Sequence, residues 1–152
     1  LVVGAIVAVN AFGDVLDPDT GTILAGTRKP VVGGLVNTVK RMQGDLGQTI
    51  LGLANTTLAV VATSAYLAKE ATNKVAQMAH DGLARSIRPV HTMFDGDTIF
   101  ALSTGKRPKR GIGADPSVIG VAAAEVLAQA VVRAVQQARS LGDVPAACDL
   151  MS

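Results

Sequence analysis

A layered α/β domain is the fold class this sequence predicts, and three features carry the prediction. Two β-branched apolar runs, at 57–63 and 98–102, read as buried strands bounded by turn residues. Apolar residues recur at helical spacing over 68–87 and again over 115–139. The order that results is strand, turn-rich segment, strand, helix, strand, helix, which fits helices laid on a sheet and not a helical bundle.

Residues 1–9 open the chain as an apolar strand, too short for a membrane span and without the charged lead-in of a signal peptide. The run reads as the middle of a buried strand, so an N-terminal portion is expected to be missing. Asn10-Ala11-Phe12-Gly13-Asp14 reads as a turn and Asp17-Pro18-Asp19-Thr20-Gly21 as a stronger one, with a short strand at 22–25. Residues 26–54 carry Gly33-Gly34, Gly44, Gly47 and Gly52 with little periodicity, which predicts a mobile loop holding a helical turn near 35–42. Ala71, Val75, Met78, Ala79 and Leu83 give the first long helix its apolar face, and Arg88-Pro89 ends it. Asp115 suits the N-cap of the second long helix and Pro116 its first position. Val118, Val121, Ala122, Leu127, Val131, Val135 and Ala138 line one side of that helix, Leu141-Gly142 stops it, and 143–152 reads as tail. Glu125 and Gln129 interrupt this most apolar stretch, so no membrane span is expected.

The totals exclude several function classes. With 152 residues, 49% hydrophobic and 17% charged, the chain can bury one compact core and is too apolar for disorder, so 1–152 reads as part of a single domain. A net charge of +2 requires neither a nucleic-acid partner nor an anionic membrane surface. Lys106-Arg107-Pro108-Lys109-Arg110 is a basic cluster without interleaved aromatics and reads as a solvated connection. Gly105-Lys106 lacks phosphate-loop spacing and Gly111-Ile112-Gly113 is too short for a dinucleotide fingerprint, so no cofactor is expected. The single Cys148 permits no internal disulfide and leans towards a reducing compartment, the cytoplasm.

Chemistry concentrates at two places. Asn55-Thr56-Thr57 runs straight into the strand at 57–63, so a hydroxyl would sit rigidly at a sheet end. Were the chain cut between Asn55 and Thr56, Thr56 would gain a free α-amine beside its own Oγ. With an ordinary pKa of roughly 7.7–8.0 that amine is a suitable base near neutral pH. Nucleophile and base would then be one residue. The second place is Asp95-Gly96-Asp97, two carboxylates in a tight turn just before the strand at 98–102. This reads as a solvated turn, as a weak divalent-cation site lacking further ligands, or as a carboxylate pair that orients an ammonium and tunes its proton affinity. His80 lies on the first long helix and could serve as a base, but a lone helical His reads rather as a packed structural residue; His91 has no partner at metal-ligand spacing and is assigned no role. Asn10 reads as a turn former.

Asn55-Thr56-Thr57-Leu58-Ala59-Val60-Val61-Ala62-Thr63, then Gln77-Met78-Ala79-His80-Asp81-Gly82-Leu83-Ala84-Arg85 and Phe94-Asp95-Gly96-Asp97-Thr98-Ile99-Phe100-Ala101-Leu102, resemble the DmpA/BapA family of self-cleaving aminopeptidases. That family includes the nylon-oligomer hydrolase NylC. Val7-Ala8-Val9-Asn10-Ala11-Phe12-Gly13-Asp14 is a further match, and the blocks run in family order over about 3–139. The resemblance implies an α-β-β-α sandwich, two stacked sheets with helices on both outer faces, shared with the ornithine acetyltransferases. It implies autocleavage at Asn55-Thr56, with 1–55 ending the α-chain portion and 56–152 forming the β-chain portion. The missing N-terminal portion would contribute strands, helices and part of the substrate pocket. Thr56 would be the nucleophile, the Asn10 amide would help hold the oxyanion, and Asp95 and Asp97 would form the acidic network beside it. A carboxylate at both positions, and Thr in place of Ser, follow the nylon-oligomer hydrolases; β-peptidyl aminopeptidases carry a hydroxyl at the first. The implied substrates are short peptides or amide oligomers with a free N-terminal amine, and the implied assembly is a homo-oligomer, a tetramer of processed α/β units. Ornithine acetyltransferases also cut before a Thr, but their Met-rich approach is not found here, so hydrolysis is preferred. Acetyl transfer, or a non-catalytic assembly subunit of the same fold, are the alternatives.

Overall fold

A computed structural model describes residues 1–29, 34–44, 55–106 and 114–150. In chain order the elements are β1 (Val3–Ala8), β2 (Asp14–Leu16), β3 (Ile23–Ala25), α1 (Thr38–Gln43), β4 (Leu58–Thr63), α2 (Lys69–Ser86), β5 (Ile87–Arg88), β6 (Thr98–Ser103), α3 (Pro116–Gln137) and α4 (Ala147–Leu150). The main sheet has the order β1-β4-β6, with β4 central, antiparallel to β1 and parallel to β6. A smaller antiparallel sheet, β3-β2-β5, packs against the two long helices.

Period-two alternation decides which side of the main sheet is covered. Ala59, Val61 and Ile99 point into the core, where they meet Val75, Ala79 and Leu83 of α2 and Ile119, Ala123, Leu127 and Val131 of α3. Leu58 and Phe100 point the other way and are 49% and 59% exposed. Among the described residues, therefore, one layer of helices covers one face of the sheet, and the opposite face is open and apolar. The second stacked sheet with outer helices that the resemblance implies is not seen among the described residues.

The helices approach closely because their facing residues are small. A Cβ added at Gly82 of α2 would come within 2.4 Å of the Ala124 carbonyl oxygen of α3, so any side chain there forces the pair apart. Asp115 caps α3 as expected, accepting the Ser117 N–H at 2.7 Å with Pro116 in the first turn. By length and composition α3 is apolar enough to cross a bilayer, in spite of Glu125 and Gln129, which corrects the expectation that these residues disqualify it. Here its face from Ile119 to Val131 is buried against α2 and the sheet.

Three further expectations change. Asp14 is not a turn residue: it begins β2 and is buried, its carboxylate accepting the Thr38 N–H and the Thr38 hydroxyl, both at 2.7 Å. A buried carboxylate needs such donors, and this one fastens the start of α1 to the small sheet. Second, α3 ends at Gln137, ahead of Leu141-Gly142. Third, the segment after it is more than tail, because Leu141 and Val144 bridge, Ala146 is buried and α4 follows. Gly47 and Gly52 of the glycine-rich approach, Gly33, the basic residues 107–110 and Gly111-Ile112-Gly113 lie outside the described residues.

Candidate active site

β4 and β6 pair in parallel with a constant register, from Leu58↔Thr98 to Thr63↔Ser103. The same register reappears beyond the strand ends at an isolated parallel bridge, Asn55↔Asp95. There the Asn55 N–H donates to the Phe94 carbonyl at 2.9 Å, and the Gly96 N–H donates to the Asn55 carbonyl at 2.8 Å. The pairing of two apolar strands thus lays the Asn55-Thr56 junction alongside Asp95-Gly96-Asp97.

Between the bridge and the strands the ladder is altered. A regular parallel ladder would send the Thr57 N–H to the Gly96 carbonyl. It goes instead to Asp97 Oδ1 at 3.0 Å, while the Gly96 carbonyl accepts the Thr98 hydroxyl at 3.2 Å. The ladder resumes with the Thr98 N–H on the Thr57 carbonyl at 3.0 Å. A carboxylate has replaced a peptide oxygen. Its side chain is 4% exposed, and its other oxygen, Oδ2, lies 3.0 Å from His91 Nδ1. Thr57 is wholly buried, and its Oγ1 has no hydrogen-bond partner among the described residues.

The two aspartates have different work. Asp95 Oδ2 accepts the Thr92 N–H at 2.9 Å and the Thr92 hydroxyl at 2.7 Å, so this carboxylate ties down its own turn. Asp97 reaches across to the N–H of Thr57, the residue after Thr56. Asn10 joins the junction from the end of β1, its main-chain carbonyl accepting the Thr56 N–H at 2.9 Å. The structure therefore brings Asn10, Asn55, Thr56 and Asp97 together and pairs Asp95 with them through the backbone, its side chain turned to Thr92. Beside Asn10 and Asn55 opens a cleft of about 580 Å³, lined also by Phe12, Thr38, Arg41 and Val135. Phe12 stacks on Phe94 with ring centroids 5.4 Å apart, bracing the two loops that meet there.

His91 corrects the sequence reading that gave it no role. It sits at φ 56°, unusual for a residue with a side chain, and holds Asp97. His80 of α2 packs edge-on against it with ring centroids 4.8 Å apart. Burial pushes the His80 pKa below its ordinary value, the neighbouring His91 adds to this, and Asp97 and Asp81 oppose it. Gly96 was also passed over, as a spacer between carboxylates. Neither was legible, because a left-handed backbone and a ladder register leave no residue-type signature. Among the described residues no group of three or more His, Cys, Asp or Glu is placed to hold a metal ion.

The family model of Peptidase family S58 matches residues 1–146. A protein of Mycobacterium leprae named as an uncharacterized aminopeptidase is 38% identical over 97% of this chain and 44% of its own length. A protein of the same description from Mycobacterium tuberculosis is 37% identical over 97% of this chain and 47% of its own. A 6-aminohexanoate-oligomer endohydrolase of an Agromyces species is 28% identical over 86% of this chain and 39% of its own. The chain spans about half the length of the two mycobacterial relatives.

Proposed function

From its membership of peptidase family S58, to which the chain belongs, we propose that it carries the self-cleavage junction and the nucleophile of an N-terminal-threonine amide hydrolase. In this reading Thr56 Oγ attacks the Asn55 carbonyl, the peptide C–N bond breaks, and an ester joins Asn55 to the Thr56 oxygen. Water hydrolyses the ester and leaves Thr56 with a free α-amine. On an incoming amide, Thr56 Oγ then attacks the carbonyl carbon and the α-amine takes and returns the proton. Water releases the acyl group.

The observation that carries the proposal is the intrusion of Asp97 into the β4–β6 ladder one residue after Thr56. A carboxylate taken out of water to accept a peptide N–H on one oxygen, with His91 Nδ1 at the other, is an expensive substitute for a carbonyl. It is explained if an ammonium forms next to it, since a neighbouring negative charge orients that group and raises its proton affinity. Asp95 supports the turn that holds Asp97. The Asn10 amide, at the end of β1 and at the edge of the cleft, would help hold the oxyanion of the substrate reaction. Short peptides or amide oligomers with a free amine are the substrates proposed, in keeping with the names of the relatives.

Intact-mass measurement of the full-length protein tests this. The protein is expected to convert from one chain into two, the second beginning at Thr56, and a Thr56→Ala variant to persist as one. A cut elsewhere, or conversion of the variant at the normal rate, removes Thr56 from the mechanism.

A further inference from the structure

We infer that the main-chain N–H of Gly96 is the oxyanion donor of the chain's own scission at Asn55-Thr56. The inference deepens the proposed function and rests on that reading. As Thr56 Oγ bonds to the Asn55 carbonyl carbon, the C=O π pair moves onto the carbonyl oxygen, which becomes negative. Collapse of that intermediate expels the Thr56 nitrogen, which takes up the proton that left Oγ. The group that stabilises the oxygen must already point at it, because reorienting a dipole during the step forfeits the benefit. Gly96 N–H is in place, 2.8 Å from the Asn55 oxygen.

Two details separate this contact from an ordinary ladder bond. Gly96 keeps its N–H on Asn55 while its carbonyl leaves the ladder for the Thr98 hydroxyl, its regular place on the Thr57 N–H being taken by Asp97. What is kept in the regular pattern is the bond to the carbonyl that would be cut. The absence of a side chain matters as well. A Cβ at position 96 would lie 2.8 Å from Thr56 Oγ1 and 3.7 Å from the Asn55 oxygen. Glycine supplies the donor and leaves the attacking hydroxyl room to move.

The test replaces one N–H at a time by an ester oxygen. Full-length precursor is made by cell-free translation with glycolic acid at position 96, or with the α-hydroxy analogue of threonine at position 104. Thr104 N–H makes a 3.0 Å bond to the Thr63 carbonyl at the other end of the same strand pair. Conversion to two chains is followed by intact mass, and folding by thermal melting. The ester at 96 is expected to slow conversion by about 10²-fold or more, the effect of losing one oxyanion donor, while the ester at 104 stays within about threefold of the normal rate. Equal slowing by both, or a normal rate with the ester at 96, overturns the inference and leaves the proposed function standing. An unmodified precursor that never converts overturns the proposed function itself. Hydrogen exchange of the uncut Thr56→Ala precursor gives a reading that does not depend on how the ester variants fold. The Gly96 amide is expected to be protected there, and exchange at the rate of an open amide also overturns the inference.

Discussion

The parallel pair β4–β6 is closed differently at its two ends. At the far end, neutral hydroxyls finish the ladder. Thr63 Oγ1 accepts the Ala65 N–H at 3.1 Å, and Ser103 Oγ accepts the Leu67 N–H at 2.8 Å while donating to the Ala65 carbonyl at 2.9 Å. Thr104 Oγ1 donates to the Thr63 carbonyl at 3.0 Å. Each polar group has a partner, which is what a strand end needs for stability. At the near end stand instead a nearly buried carboxylate, a histidine at positive φ, and a threonine hydroxyl, Thr57 Oγ1, without a partner among the described residues. Identical strand geometry with unequal chemistry at its ends shows where local stability has been given up, and strain of that kind collects at functional sites.

Substitutions at the two ends should therefore separate rate from stability. The largest effect is expected for Asp97→Asn, which keeps an acceptor for the Thr57 N–H and removes the charge. Hydrolysis of a short amide substrate by the processed protein should slow by about 10²-fold or more, because the charge that orients the Thr56 ammonium is gone, with little change in melting temperature. At the far end Ser103→Ala should do the reverse. Leaving the Leu67 N–H unpaired, while the Ala65 carbonyl keeps the Gly105 N–H at 3.2 Å, costs about 1–3 kcal/mol in urea unfolding, with the hydrolysis rate within about twofold of normal. If Ser103→Ala slows hydrolysis as much as Asp97→Asn does, the two ends are not functionally distinct. Smaller again is Asp95→Asn. Its amide oxygen can take the place of Oδ2 and keep both Thr92 bonds, losing the charge that strengthens them, worth about 1 kcal/mol, and it should slow hydrolysis by less than about tenfold, because its side chain supports only the turn.

The smallest expected effect is a pH dependence through His80. Its pKa in the folded chain is lowered from 6.5, first by burial and then by His91, against Asp97 and Asp81. The unfolded chain thus binds more protons on this residue than the folded one. The stability it contributes is complete above its unfolded pKa and is lost as pH falls through the lower, folded value. Unfolding midpoints should drop on acidification in that window, and a His80→Gln variant should show a shallower drop. An equal slope in the variant would mean that protonation of His80 is not felt by the fold.

Much of the fold was legible because it follows from periodicity. The helix expected over 68–87 is α2 (Lys69–Ser86), and the strand expected over 57–63 is β4 (Leu58–Thr63). In each, apolar side chains recur with the period of the element that buries them. Asp14, the first residue of β2, was read in a turn because an acidic residue beside a glycine carries the signal of one; the distant Thr38 N–H and hydroxyl are what offset its burial. β5 is two residues long and was hidden behind Arg88-Pro89. At the site, Thr56 and the two aspartates stood out as residue types in motif order. That Asp97 crosses to β4 while Asp95 folds back on Thr92 could not be read, since a separation of two residues in a turn does not fix where either side chain points.

The sequence alone determined the strands and helices with strong periodicity, the N-cap of α3 and the family, because these depend on residue type and short-range spacing. Tertiary structure alone decided which polar atoms meet. The parallel register of β4 and β6 joins residues 40 positions apart in the chain, and that register, not any local preference, sets a glycine N–H on the Asn55 carbonyl and a carboxylate beside Thr56. Hydrogen bonds demand atoms within a fraction of an ångström of their partners, a precision that only the packed chain supplies.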